Sequence, residues 1–242
     1  MEKSLSEKFK AILFDLDGTL RVNLPPDGET FAECAKGMGV EPSHEDRIRA
    51  ERWEHFYFAN SPQIKDDAKK FDGDDKGFWV NFTQRRLVAL GVHRNRAVEL
   101  ARNISDCMEA NYKPENALSG GIHDLLKSLK DNGYVLGVVS NRGEPFHDEL
   151  ESLGLKPYFD FTLAGGEVDS YKPDPGIFEH ALKLAGTSAH ETIYIGDNYF
   201  ADVVGSLRAG LTPVLYDPSL LFPEAECAVI RSFEELHELL IA

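Results

Sequence analysis

Short apolar runs that end abruptly in polar residues recur along this chain. Ala11-Ile12-Leu13-Phe14 is closed by Asp15-Leu16-Asp17-Gly18-Thr19, the pattern of a strand buried on both faces that runs into a turn. The same pattern returns at Tyr134 to Ser140, Phe161 to Ala164, Thr192 to Gly196 and Thr212 to Tyr216, with helical patterns between them. Strand and helix in alternation predict an α/β fold built on a doubly wound parallel sheet. Helix punctuation agrees. Asp174-Pro175 offers an N-cap and a first-turn proline, and Ser232 with Glu235 reads as a capping box. Asn132-Gly133 stops a helix carrying Leu125, Leu126 and Leu129, and Gly210 stops one carrying Val203 and Leu207.

From about Arg21 to about Asn116 this alternation disappears. Helical spacing covers Phe31 to Lys36, Ser43 to Asn60, Lys76 to Leu90 and Asn95 to Tyr112, and Ser43 with Asp46 caps the second of these. An insertion of roughly a hundred residues far exceeds an ordinary βα loop, so it predicts a smaller all-helical domain, read as a cap. The expected domains are therefore a core of residues 1–20 and 117–242 and a helical cap of residues 21–116. Trp53, Phe56, Tyr57, Phe78, Trp79 and Phe82 recur at helical spacing and are expected to fill the core of the cap. The polar stretch Lys65 to Lys76 is expected to be a mobile, solvated connection. Asp72-Gly73-Asp74-Asp75 is not a calcium loop, because that frame puts Lys76 and Thr83 at ligand positions.

Composition narrows the functional classes. Over 242 residues, 41 Asp plus Glu stand against 26 Lys plus Arg, and a net charge of -15 disfavours nucleic acid and anionic membranes as partners. No window approaches the ~18 apolar residues of a membrane span, and the first apolar run is broken by Asp15 too soon for a signal peptide. Cys34, Cys107 and Cys227 cannot all pair within one chain and show no metal-finger spacing. A reducing, cytoplasmic location is the expectation.

In open parallel sheets ligands bind beyond the carboxyl ends of the strands. The polar residues at those ends are Asp15 and Asp17 after the first strand, Ser140 and Asn141 at the second, Lys172 on the loop after the third, and Asp197 with Asp202 after the fourth. Paired carboxylates in one turn can divide the work of nucleophile and proton donor. Four carboxylates and one lysine carry a formal charge of about -3, which a phosphate dianion could not approach without a divalent cation such as Mg2+.

Asp15-Leu16-Asp17-Gly18-Thr19, Ser140-Asn141, Lys172-Pro173-Asp174-Pro175 and Gly196-Asp197 with Asp202 resemble, in order, the four motifs of the haloacid dehalogenase (HAD) superfamily. The resemblance implies a Rossmann-like core with a cap inserted between the first two motifs. It implies Asp15 as the nucleophile that forms an aspartyl-phosphate, and Asp17 as the acid that protonates the leaving oxygen and later activates water. Ser140, Asn141, Thr19 and Lys172 would bind the phosphoryl group, Lys172 also neutralising Asp15, and Thr19 would fix Asp17. Asp15, Asp17 through its carbonyl, Asp197 and Asp202 would hold Mg2+. The implied activity is a Mg2+-dependent phosphatase for a small phosphorylated metabolite. A phosphomutase, and less readily a dehalogenase or a non-catalytic phospho-aspartate switch, are the alternatives. Arg21-Val22-Asn23 and Tyr171 depart from the family's common residues, and neither departure is expected to touch the catalytic set. Substrate choice is expected to lie in the cap, whose Arg47, Arg49, Arg52, Arg85 and Arg86 could meet an anionic tail.

Overall fold

The computed structural model describes residues 9–241. Six strands form one parallel sheet: β1 (Ala11–Phe14), β4 (Val135–Ser140), β5 (Phe161–Ala164), β6 (Thr192–Gly196), β7 (Thr212–Tyr216) and β8 (Ala228–Ile230), in the order β5-β4-β1-β6-β7-β8. Two further short strands, β2 (Arg21–Leu24) and β3 (Glu115–Leu118), pair only with each other. This is the doubly wound α/β fold expected. The chain steps outward from β1 to β4 and β5, then returns to lay β6 on the other side of β1, so the order reverses between β1 and β6. Phe14 is level with Val138 on β4 and with Ile195 on β6, which puts the residues after these strands at one edge.

Successive side chains of β1 explain its unbroken apolar run. Ile12 and Phe14 pack with Leu125, Leu126 and Leu129 of α6 (Ile122–Asp131) and with Phe233 and Leu236 of α11 (Phe233–Ile241), while Leu13 faces Ile177, Phe178 and Ala181 of α9 (Pro175–Ala185). Burial of each such side chain contributes ~1.5 to 3 kcal/mol. Asp174 accepts from Gly176 N at 2.8 Å and so begins α9 as predicted. At Ser232 the capping box is half made: Glu235 N donates to its hydroxyl at 3.4 Å, but the Glu235 carboxylate accepts from Arg231 N.

The described residues up to Val22 and from Leu118 onward form one compact unit, and Asn23–Ala117 form a second. The second unit is helical: α1 (Asp27–Gly37), α2 (His44–Phe58), α3 (Pro62–Lys70), α4 (Asp75–Ala89) and α5 (Arg94–Asn111) surround Phe31, Ala35, Val40, Ala50, Leu87, Leu90, Ala97 and Ile104. Ser43 and Asp46 form the capping box of α2 in both directions. Two expectations fail here. Most of Lys65 to Lys76 is helix rather than mobile connection, because the carboxylate of Asp67 is buried and accepts from Tyr57 Oη at 3.1 Å and Arg85 Nη2 at 2.8 Å. A polar sequence hides that anchor from a reading based on apolar spacing. Cys34 on α1 and Cys107 on α5 are joined in a disulfide across a sequence separation of 73, so the cysteines do not argue for a reducing compartment. Of the aromatic residues, Tyr57 and Phe82 are buried and Trp53 packs on both, whereas Trp79 is 51% exposed. Among the described residues no helix is long and apolar enough to cross a membrane.

Candidate active site

Every residue that the sequence placed at a strand end lies in the α/β unit. Asp15 follows β1 and is tied to β6 by its N–H, which donates to Ile195 O at 2.8 Å. Its carboxylate is buried, and Lys172 Nζ donates to Oδ1 at 2.5 Å. The same ammonium donates to Asp202 Oδ1 at 2.7 Å and to Tyr194 Oη at 3.0 Å, and is itself buried. Tyr194 in turn donates to Val139 O at 3.0 Å, which fixes the phenol between β6 and β4. Asn141 holds the backbone of Lys172 with both ends of its amide: it accepts from Lys172 N at 2.6 Å and donates to Lys172 O at 2.9 Å. Ser140 is buried as the last residue of β4.

Gly18 has φ +93°, and a Cβ there would lie 2.4 Å from Asp197 Oδ2, so both its conformation and its surroundings require glycine. That turn presents Thr19 to the end of β6. Thr19 Oγ1 accepts from Asp197 N at 3.0 Å and donates to Asp197 Oδ1 at 3.1 Å. The expectation that Thr19 fixes Asp17 is thereby corrected: it fixes Asp197. Asp202, in the π-helical turn Tyr199–Val203, accepts from Asn198 N at 2.9 Å through its second oxygen.

Carboxylate oxygens of Asp15, Asp197 and Asp202 lie within 4.8 Å of one another. Burial, with Lys172 opposing and Asp202 and Asp17 reinforcing, pushes Asp15 up to about 7. Burial and the charge of Asp15 likewise push Asp197 up to about 7, and burial raises Asp202. Lys172 is held well above its ordinary range, because Asp15 and Asp202 outweigh the cost of its own burial. Three acids, Asp15 and Asp202 buried and Asp197 half-buried, thus gather around one ammonium, which pairs with Asp15 and Asp202. Mg2+ takes oxygen ligands at ~2.1 Å in octahedral geometry, so oxygens around one ion stand ~3 to 4 Å apart, and this trio fits such an ion with small side-chain adjustments.

Asp17 stands apart from the trio. Arg142 grips both of its oxygens, Nε to Oδ2 at 2.8 Å and Nη2 to Oδ1 at 2.9 Å, and Arg21 Nη1 also donates to Oδ1. Glu149 pairs with both guanidiniums, accepting from Arg142 and lying 3.1 Å from Arg21 Nε. Burial raises the Asp17 carboxyl, but its hydrogen bonds to Arg142 and Arg21 outweigh that and hold it below the usual range. Two corrections follow. Arg21 does touch the candidate catalytic set. The arginines and Glu149 also make the site one charge less negative than the sequence count, so the case for a cation rests on the clustered trio and not on the total. The signal for Arg142 was present one residue past Asn141, but nothing in a linear sequence ties it to Asp17.

The arginines of the helical unit are largely committed elsewhere. Arg86 is buried between Glu54 at 2.5 Å and Asp27 at 2.8 Å, Arg85 pairs with Asp67, and Arg49 pairs with Asp46.

A sequence profile of haloacid dehalogenase-like hydrolases matches residues 63–215. The chain belongs to that family, and it is a hydrolase. It is 27% identical to human haloacid dehalogenase-like hydrolase domain-containing protein 3 over 93% of this chain and 86% of that one. It is 29% identical to the ribulose-1,5-bisphosphate 5-phosphatase of Halopiger xanaduensis, over 86% of this chain and 85% of the relative. Among solved structures, a HAD phosphatase from Thermococcus onnurineus shares the fold, with a TM-score of 0.56 and 21% identity across 96% of this chain and 98% of the other.

Proposed function

We propose that the protein is a Mg2+-dependent phosphatase that hydrolyses a small phosphorylated metabolite through an aspartyl-phosphate on Asp15. The observation that carries this reading is the buried carboxylate of Asp15, at the end of β1, with one oxygen on Lys172 and a cation-sized cluster of acids beside it. The chain's likeness to the ribulose-1,5-bisphosphate 5-phosphatase of Halopiger xanaduensis supports it.

In the first step a carboxylate oxygen of Asp15 bonds to phosphorus as the ester P–O bond breaks, and the departing oxygen takes a proton from Asp17. In the second, water gives a proton to Asp17 and its oxygen to phosphorus, and the bond to Asp15 breaks. Lys172 balances charge on Asp15 and on the phosphoryl oxygens, and Ser140 donates to one of them. Asn141 positions Lys172 through its backbone, and Thr19 positions Asp197. Mg2+, held by Asp15, Asp197 and the Asp17 carbonyl with Asp202 behind them, would supply the positive charge that lets a dianion approach. For Asp17 to serve as acid, its arginine contacts must loosen during turnover. The helical unit acts as the cap that selects the substrate. A phosphomutase would use the same first step and return the group to substrate.

Turnover of a panel of phosphate monoesters is the test. Activity is expected with Mg2+, lost with EDTA and recovered on adding Mg2+ back. Full activity after exhaustive metal removal contradicts the reading.

A further inference from the structure

Arg21 and Arg142 come from separate parts of the chain, the start of β2 and the loop after β4, and converge on a single carboxylate. One guanidinium in fork geometry already satisfies both oxygens of Asp17. The second adds a cation that positioning does not need, and Glu149 retains both arginines from the other side. The cluster is not sealed: the side chain of Asp17 is 39% exposed and that of Arg142 is 29% exposed. Arg142 therefore shows, in a place that solvent reaches, the geometry by which an arginine binds a carboxylate or phosphate. Asp17 occupies the ligand's position.

In the function proposed above, on which this inference rests, Asp17 faces the leaving oxygen. A group attached close to that oxygen would lie beside the two guanidiniums, because both hold Asp17 directly. We propose that Arg21 and Arg142 form a recognition site for a second anion on the substrate, a carboxylate or second phosphate near the ester oxygen, which displaces Asp17 from Arg142. The exchange replaces one carboxylate with another anion and leaves Glu149 in place, so neither arginine is stranded. It also opens the Asp17 oxygens toward the leaving group. Part of the enzyme's selectivity then resides in the α/β unit, against the expectation that the cap holds all of it.

The test compares ethyl phosphate, carboxymethyl phosphate and ethane-1,2-diyl bisphosphate on the full chain with Mg2+, for wild type, Arg142→Gln, Arg142→Lys and Arg21→Gln. Wild type is expected to favour one anion-bearing ester over ethyl phosphate by ~10- to 100-fold in kcat/KM, the range of a charged hydrogen-bonded contact. Which ester it favours separates carboxylate from phosphate as the recognised group. Arg142→Gln should cut that ratio by ~10-fold or more, chiefly through KM, and Arg142→Lys should restore only part of it, because a lysine keeps the charge but cannot form the fork. Arg21→Gln supplies the same comparison if Arg142→Gln does not fold. A ratio unchanged in these variants while all rates fall together means that the arginines only hold Asp17, and overturns the proposal. So does a wild type that hydrolyses para-nitrophenyl phosphate yet shows no preference among the three esters. Absence of turnover on all four compounds instead removes the phosphatase reading itself.

Discussion

In the α/β unit three carboxylates, Asp15 and Asp202 buried and Asp197 half-buried, converge beside the single ammonium of Lys172. In the helical unit the buried guanidinium of Arg86 lies between Glu54 and Asp27, with its face 4.1 Å from the ring centre of Phe31. Both clusters bury opposite charges, and burial alone would not tell them apart. The difference lies in where the acids point. Those around Arg86 address the cation between them, and Asp27 keeps about half its side chain in water, so the arrangement is complete as a brace. Those in the α/β unit gather their oxygens within 4.8 Å of one another, where a single divalent ion could meet all three. A cluster whose acid oxygens gather at one point is arranged to receive a cation, whereas a cluster centred on its cation is arranged to hold helices together.

The largest expected effect that sharpens this contrast is the loss of turnover in Asp15→Asn, on the order of 10^3-fold or more in kcat, since an amide is a poor nucleophile. The variant should keep the urea midpoint of the parent or exceed it, because one of three competing acids has been neutralised. A collapse of stability with activity retained would make Asp15 a brace after all.

Next in size is the disulfide of the helical unit. Closing a loop of this length is worth ~4 kcal/mol through the entropy of the unfolded chain, so Cys34→Ala should lower the unfolding free energy by about that amount. Neither cysteine belongs to the acid cluster, so kcat below the unfolding transition should stay within about twofold of the parent. Stability unchanged to within ~1 kcal/mol would deny the bond a structural role.

Smaller still, per pH unit, is a pH effect confined to the brace. Burial pushes Glu54 up to about 8, with Arg86 opposing and Asp27 and Glu51 reinforcing, against an ordinary value of 4.5. Between those values the folded chain keeps a proton that the unfolded chain has lost, so stability falls as pH rises, by on the order of 1 kcal/mol per pH unit from this group. Urea titrations across that window should show Glu54→Gln flattening the slope. An unchanged slope would mean that Arg86 keeps Glu54 ionised throughout.

Much of this was legible in the sequence, for identifiable reasons. The strands β5, β6 and β7 have the predicted limits because short, mostly apolar runs rich in β-branched and aromatic residues are closed by Gly or Asp. The acids at strand ends were legible because an open parallel sheet gathers those positions at one edge. Three kinds of feature escaped. The short strands β2, β3 and β8 are mostly exposed or half-buried, so no buried apolar run marks them. The helix α3 is anchored by a buried acid rather than by apolar residues, so its polar sequence read as solvated. The grip of Arg142 on Asp17 spans 125 positions, and the disulfide spans 73; such pairings are made by the fold and leave no local trace.

The central claim is that Asp15 accepts a phosphoryl group, and the most direct measurement is to trap that adduct. The full chain would be mixed with Mg2+ and para-nitrophenyl phosphate, quenched in acid within a single turnover, digested with trypsin and mapped by mass spectrometry. Cleavage after Lys10 and Arg21 yields the peptide Ala11–Arg21, which holds Asp15 and Asp17 and can be fragmented to tell them apart. A phosphoryl group on Asp15 that appears before steady state and is absent from Asp15→Asn is the result expected. Phosphate release in that first turnover with no covalent adduct on Asp15, or with the adduct on another residue, would contradict it.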